Sequence, residues 1–143
     1  MLRILIADDE YLAIEAVKKI IKSNIEDVNI VATASSGKEA IIKVNELSPD
    51  IAIMDIQMPG IDGLEAIRQI KASNPNILFI VLTAYDLFDY AKESIGLGAV
   101  EYLLKPIKKD QLLMAIEKAS KIVKSKQIQN KWEYELKEKL TLV

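Results

Sequence analysis

Ile51-Ala52-Ile53-Met54-Asp55 is an unbroken apolar run that ends on a carboxylate. A run of this kind reads as a strand covered on both faces, as in a parallel sheet sandwiched between helices. Met58-Pro59-Gly60 follows with turn chemistry, so the chain breaks away just beyond Asp55. The spacing predicts Asp55 at the mouth of a central strand, where the sheet meets solvent.

Four other stretches have the same character. Leu2 to Ala7 (LRILIA) precedes Asp8-Asp9-Glu10, and residues 77–82 (ILFIVL) precede Thr83-Ala84. Residues 99–104 (AVEYLL) precede Lys105-Pro106, and residues 29–34 (NIVATA) form a less apolar run suited to a sheet edge. Between them lie helical periodicities. One takes in Leu12, Ile14, Ala16, Val17, Ile20 and Ile21. A second opens at the Ser36/Glu39 capping-box spacing, carries Ala40, Ile41, Val44 and Leu47, and stops at Ser48-Pro49. A third follows Asp62-Gly63 with Leu64, Ile67 and Ile70, and ends at Asn74-Pro75-Asn76. A fourth is expected over residues 87–95, stopped by Gly96 and Gly98, and a fifth runs from Lys108 onward.

Strict alternation of strand and helix argues an α/β domain with a parallel sheet. Right-handed crossovers and five strands favour the flavodoxin-like, doubly wound order 2-1-3-4-5. That order opens a crevice beyond the carboxyl ends of strands one and three. Asp8, Asp9, Asp55, Thr83 and Lys105 all fall at that edge. Each has an ordinary use alone, as a helix cap, a turn residue or a solvated charge. Five of them at one edge point to a site.

Composition narrows the chemistry. The 143 residues suit one domain, and half of them are hydrophobic. There is no Cys and no His, so disulfides, thiolate sites and imidazole catalysis are excluded. A metal here would be a hard ion held by oxygen. No apolar run approaches the ~20 residues of a membrane helix. The chain starts on a strand pattern with no signal peptide, and a cytoplasmic location is expected. Residues 1–107 hold 10 Lys and Arg against 16 Asp and Glu, whereas residues 108–143 hold 9 Lys against 5 acids. Acids interleave with those lysines, which favours a solvated helix face over a nucleic-acid surface.

Clustered carboxylates repel one another, and a divalent cation relieves the repulsion. Mg²⁺ suits one or two carboxylates plus water and phosphate oxygens, and Mn²⁺ could substitute. Lys105 offers a point charge for phosphate, and the Thr83 hydroxyl can donate to a phosphoryl oxygen. These are parts for phosphoryl transfer, which depends on positioning and charge neutralisation rather than on histidine.

Asp8-Asp9, Asp55 with Met58-Pro59-Gly60, Thr83-Ala84 and Lys105-Pro106, in this order and spacing over roughly residues 2–120, resemble the receiver domain of two-component response regulators. The resemblance implies that Asp55 accepts a phosphoryl group from a sensor histidine kinase. It implies Mg²⁺ held by Asp9, Asp55 and the Gln57 backbone carbonyl, with Asp8 acting largely through water. It implies that Thr83 and Lys105 contact the phosphoryl group, that Tyr102 changes rotamer as Thr83 is drawn inward, and that Lys105-Pro106 is cis. The surface so switched would comprise the helix over residues 87–95, the fifth strand and the start of the fifth helix. Such a domain catalyses only its own phosphorylation and dephosphorylation. An aspartyl phosphatase would want an acid two residues after the nucleophile, where this chain has Gln57. Residues 85–92 (YDLFDYAK) with residues 98–106 (GAVEYLLKP) further resemble receivers that precede AraC-type DNA-binding domains.

We expect a receiver over residues 1–122 and a helical extension over 123–143. In the extension, Ile128, Trp132, Leu136 and Leu140 form a stripe spaced by four. It could pack on its own domain, or serve as a linker to an output domain or a dimer contact. No helix-turn-helix pattern is present, so an effector is expected outside this chain.

Overall fold

The computed structural model describes residues 1–84, 92–93 and 95–141, with Thr141 described by its backbone alone. Five parallel strands run in the order β2-β1-β3-β4-β5: β1 Leu2–Ala7, β2 Val28–Ala34, β3 Ile51–Asp55, β4 Leu78–Thr83 and β5 Ala99–Leu104. Helices α1 (Tyr11–Asn24), α2 (Gly37–Leu47) and α3 (Gly63–Ser73) connect the early strands. A single 33-residue helix, α4 (Lys109–Thr141), follows β5. The topology is the one expected. The helix expected over residues 87–95 lies mostly outside the described residues; Lys92, Glu93, Ile95 and Gly96 are helical.

Strand alternation divides the core into two layers. Ile4, Ile6, Ile51, Ile53, Ile80 and Leu82 face Ile14, Val17 and Ile21 of α1 and Leu112, Ile116 and Ala119 of α4. Leu5, Ala52, Met54, Phe79 and Val81 face Ala40 and Val44 of α2 and Leu64, Ile67 and Ile70 of α3. Each central strand is thus buried on both sides, which is why its sequence shows no polar alternation.

Three expectations need adjustment. Leu12 is 79% exposed, and Ala16 is also exposed, so neither belongs to the buried face of α1. Ile14 fixes that face, and Leu12 lies two residues, about 200°, around the helix from it. β4 runs one residue later than read and includes Thr83, a β-branched residue at home in a strand. β2 starts one residue earlier, at Val28.

The loops that place the site are tightly specified. Ser36 Oγ accepts from the Glu39 N–H at 3.2 Å, as the capping-box spacing requires. The Glu39 carboxylate returns to Ser35 rather than Ser36, accepting from its N–H and its hydroxyl. Asp62 caps α3 by accepting from the Glu65 N–H at 2.8 Å. Gly63 packs directly on the turn after β3: a Cβ there would lie 2.4 Å from the Asp55 carbonyl oxygen and 2.5 Å from Ile56 Cα.

Candidate functional site

The carboxyl edge of the sheet gathers the polar residues singled out by the sequence. Asp8 follows β1, Asp55 closes β3, Thr83 closes β4 and Lys105 follows β5. Asp8, Asp55 and Thr83 are the buried polar and charged residues among the described ones, at 1%, 4% and 0% exposure. The strand register explains the convergence. Asp55 pairs with Leu82, so Thr83 lies one step beyond, and Thr83 pairs with Leu104, so Lys105 comes next. The Lys105 N–H donates to the Thr83 carbonyl at 2.7 Å and holds that step in place.

Lys105 is the hinge of the arrangement. Its Nζ donates to Asp8 Oδ2 and to Asp55 Oδ2, both at 2.8 Å. The second oxygen of each acid is also fixed. Asp8 Oδ1 accepts from the Glu10 N–H and Asp55 Oδ1 from the Gln57 N–H, each at 2.9 Å. Both carboxylates are therefore held from two sides by donors two residues on and by a common cation. The Lys105-Pro106 bond is cis, as the resemblance implies.

Burial pushes the Asp55 carboxyl above its ordinary range, and the charge of Asp8 adds to that rise. The hydrogen bonds from Lys105 and Gln57 pull the other way without cancelling it. Burial tends to lower the Lys105 pKa, but its hydrogen bonds to Asp55 and Asp8 win, so the amine is held above its usual value. The site is a partly buried ammonium between two buried carboxylates, one of which is costly to keep ionised.

Asp9 stands at the exposed lip. With Asp8 and Glu10 it forms a group of three carboxylates whose oxygens lie within 4.8 Å of one another. Asp55 is not in that group; its Oδ2 is turned to Lys105. Gln57 has an exposed side chain and sits directly over the site by its backbone. Tyr102 is half-buried, packed against the layer that contains Phe79 and Val81. Beside it, between β5 and α4, runs a groove lined by Leu104, Pro106, Gln111 and Met114.

Two participants were not foreseen. Glu10 completes the acidic lip and lends its N–H to Asp8; its place directly after Asp8-Asp9 was the available signal. Gly63 is the close-approach glycine that lets α3 seat against Asp55, and Asp62-Gly63 marked it only as a helix start. Most of residues 85–92, on which the AraC-type resemblance partly rests, lie outside the described residues.

Comparison with known proteins agrees with this geometry. The family model described as the response regulator receiver domain matches residues 4–117. The transcriptional regulatory protein YesN of Bacillus subtilis is 36% identical over 140 residues, which make up 98% of this chain and 38% of YesN. The chemotaxis protein CheY of Listeria monocytogenes is 40% identical over 121 residues, 85% of this chain and 100% of CheY. The chain thus spans little more than a third of YesN but the whole of CheY. Among solved structures, the receiver domain of AraT, a response regulator from Geobacillus stearothermophilus, superposes with TM-score 0.76 at 33% identity, covering 90% of this chain and 98% of that one. CheY in its CheX–BeF₃–Mg²⁺ complex from Borrelia burgdorferi gives TM-score 0.76 at 29% identity, over 80% and 86% of the two chains. No described helix is long and apolar enough to cross a membrane. Fold, site geometry and relatives agree that the chain belongs to the receiver domain family of response regulators, the phosphorylation-dependent signalling domains of two-component systems.

Proposed function

We propose that Asp55 is the phosphoacceptor, taking a phosphoryl group in the cytoplasm from the phosphohistidine of a sensor histidine kinase. The observation that carries the reading is the shared Lys105 amine, 2.8 Å from both Asp55 Oδ2 and Asp8 Oδ2. Asp55 Oδ2 attacks phosphorus, an O–P bond forms, and the N–P bond to the donor imidazole breaks. Lys105 moves its contact from the carboxylate to the incoming phosphoryl oxygens and offsets their charge. The Gln57 N–H keeps Oδ1 fixed, so one oxygen of Asp55 is oriented while the other reacts.

The donor set fits a hard divalent ion. Every available ligand is oxygen, and the lip formed by Asp8, Asp9 and Glu10 concentrates negative charge beside Asp55. Asp8, Asp9, Asp55 and the Gln57 backbone carbonyl are the residues that would hold Mg²⁺, or Mn²⁺ in its place. When bound, the ion supplies neutralisation of the acids and of the phosphoryl oxygens.

The new dianion draws the Thr83 hydroxyl toward it, and Tyr102 fills the space vacated. This is a local charge event biasing a two-state element. Its output surface is β5 with the start of α4 and the helix expected over residues 87–95. Residues 1–122 act as the switch, and residues 123–143 lead toward an output. In the longer regulator that output is a DNA-binding domain of AraC type. Self-association through the β5–α4 face or the α4 tail transmits the state. The chemistry performed is the domain's own phosphorylation and its reversal by hydrolysis of the acyl phosphate.

The test is intact mass after incubation with acetyl phosphate and Mg²⁺. A single phosphoryl adduct, lost in Asp55→Asn, supports the proposal. Consumption of many equivalents without an adduct would indicate a phosphatase. No adduct and no turnover would leave an interaction module.

A further inference from the structure

Beyond Val123, α4 draws away from the domain: Lys126 is still half-buried, and Gln127 and Asn130 border a groove with Ser48, Asn74 and Asn76. Residues 127–140 are all exposed, and the stripe Ile128, Trp132, Leu136 and Leu140 is 57%, 67%, 59% and 70% exposed. From Lys131 to Leu140 every residue of the helix is exposed, so tertiary packing gives that part little support, and an apolar stripe along it carries a hydration cost. Spacing by four makes the stripe a ridge of the kind that interdigitates with an identical ridge. We infer that the α4 tail pairs antiparallel with the α4 tail of a second copy, about a two-fold axis at the level of Trp132. The inference deepens the self-association proposed above and does not depend on the chemistry of Asp55.

Charge selects both the occupant and its direction. Residues 124–131 carry Lys124, Lys126 and Lys131 and no acid, whereas residues 133–139 carry Glu133, Glu135 and Glu138 against Lys137 and Lys139. Parallel pairing sets the basic half against its twin. Antiparallel pairing sets it against the partner's acidic half, twice. At 100° per residue, Lys124, Lys131, Glu135 and Glu138 share one flank of the stripe. A two-fold perpendicular to the helices keeps that flank on the same side and reverses its direction. Glu135 then comes within two residues of the height of the partner's Lys131, about 3 Å along the axis, and Glu138 likewise of the partner's Lys124. Ile128 stands level with the partner's Leu136, and Trp132 with its counterpart. Among the described residues, Lys124, Lys131, Glu135 and Glu138 make no ion pair within the chain, so all four are available. In the parallel arrangement Lys124 would instead face the partner's Lys126. The stripe from Ile128 to Leu140 lies within residues 127–140, the part of α4 whose residues are all exposed.

The cysteine-free chain permits a clean test on the full, unphosphorylated protein. Ile128→Cys and Leu136→Cys are prepared separately, mixed in equal amounts and oxidised mildly. The expected product is the mixed 128–136 disulfide dimer in excess over both self-linked species. Sedimentation of the unmodified chain should show concentration-dependent dimers that Trp132→Lys weakens at least about tenfold. Lys131→Glu should weaken them as well, and adding Glu135→Lys should restore them. Predominant 128–128 and 136–136 linkage would overturn the inference in favour of a parallel pair. A monomer at all concentrations, or dimers indifferent to Trp132→Lys, would also overturn it, and either result would leave the Asp55 reading intact.

Discussion

Replacing Lys105 with methionine keeps the aliphatic stem and removes the cation between two buried acids. Each N–O contact of 2.8 Å is worth about 6 kcal/mol at an effective dielectric near 20, before desolvation is subtracted. Breaking one side of such a buried pair typically costs about 3–5 kcal/mol. Protonation sets a ceiling, because holding one ordinary aspartate neutral at pH 7 costs about 4 kcal/mol. The metal-free variant should therefore lose about 3–4 kcal/mol at pH 7, or roughly 10 °C in Tm for a chain of this size. The loss should shrink on acidification, as a neutral carboxyl no longer needs the amine. It should also shrink in millimolar Mg²⁺ if Asp8, Asp9 and Asp55 hold the ion, since a divalent charge replaces the missing one. The assay is urea unfolding of both proteins at pH 7 and pH 5, with EDTA or with Mg²⁺. A deficit below about 1 kcal/mol, or one indifferent to both pH and Mg²⁺, would refute the reasoning.

Asp55→Asn should behave oppositely and stabilise the metal-free protein at pH 7. The Asp55 carboxyl titrates above its unfolded value, so ionising it costs folding free energy. The gain over wild type should shrink as pH falls below the raised folded value and vanish only below the unfolded value of about 3.9, where the carboxyl is neutral in both states; calorimetry across pH checks this. Gly63→Ala should cost at least about 2–3 kcal/mol, since its Cβ would meet backbone at 2.4 Å, and should slow phosphorylation by displacing the Asp55 turn; urea titration and adduct formation report the two effects. Ser36→Ala removes the α2 cap and should cost about 1 kcal/mol while leaving the rate of Asp55 modification unchanged.

The sheet was legible because its central strands are buried on both faces, which leaves continuous apolar runs. Residues 51–55 and 2–7 needed no adjustment. The convergence of Asp8, Asp55, Thr83 and Lys105 was legible too, because strand order in this class of fold determines which strand ends share an edge. The detail of the site was not. That Lys105 grips both acids at once depends on a 97-residue separation in sequence closing to 2.8 Å, and no local pattern carries that information. Leu12 misled because apolar character alone does not say which side of α1 meets the sheet; Ile14, Val17 and Ile21 settle it together. Gly63 looked like an ordinary helix start, since close approach between α3 and the Asp55 turn is a tertiary fact.

The central proposal is that the carboxylate closing β3 is the one that reacts. Borohydride reduction of the acyl phosphate, followed by peptide mapping, locates the modified residue directly. After incubation with acetyl phosphate and Mg²⁺, the reduced product should be found at Asp55 and nowhere else. Reduction at Asp8 or Asp9, or a phosphorylated protein in which Asp55 is untouched, would contradict it.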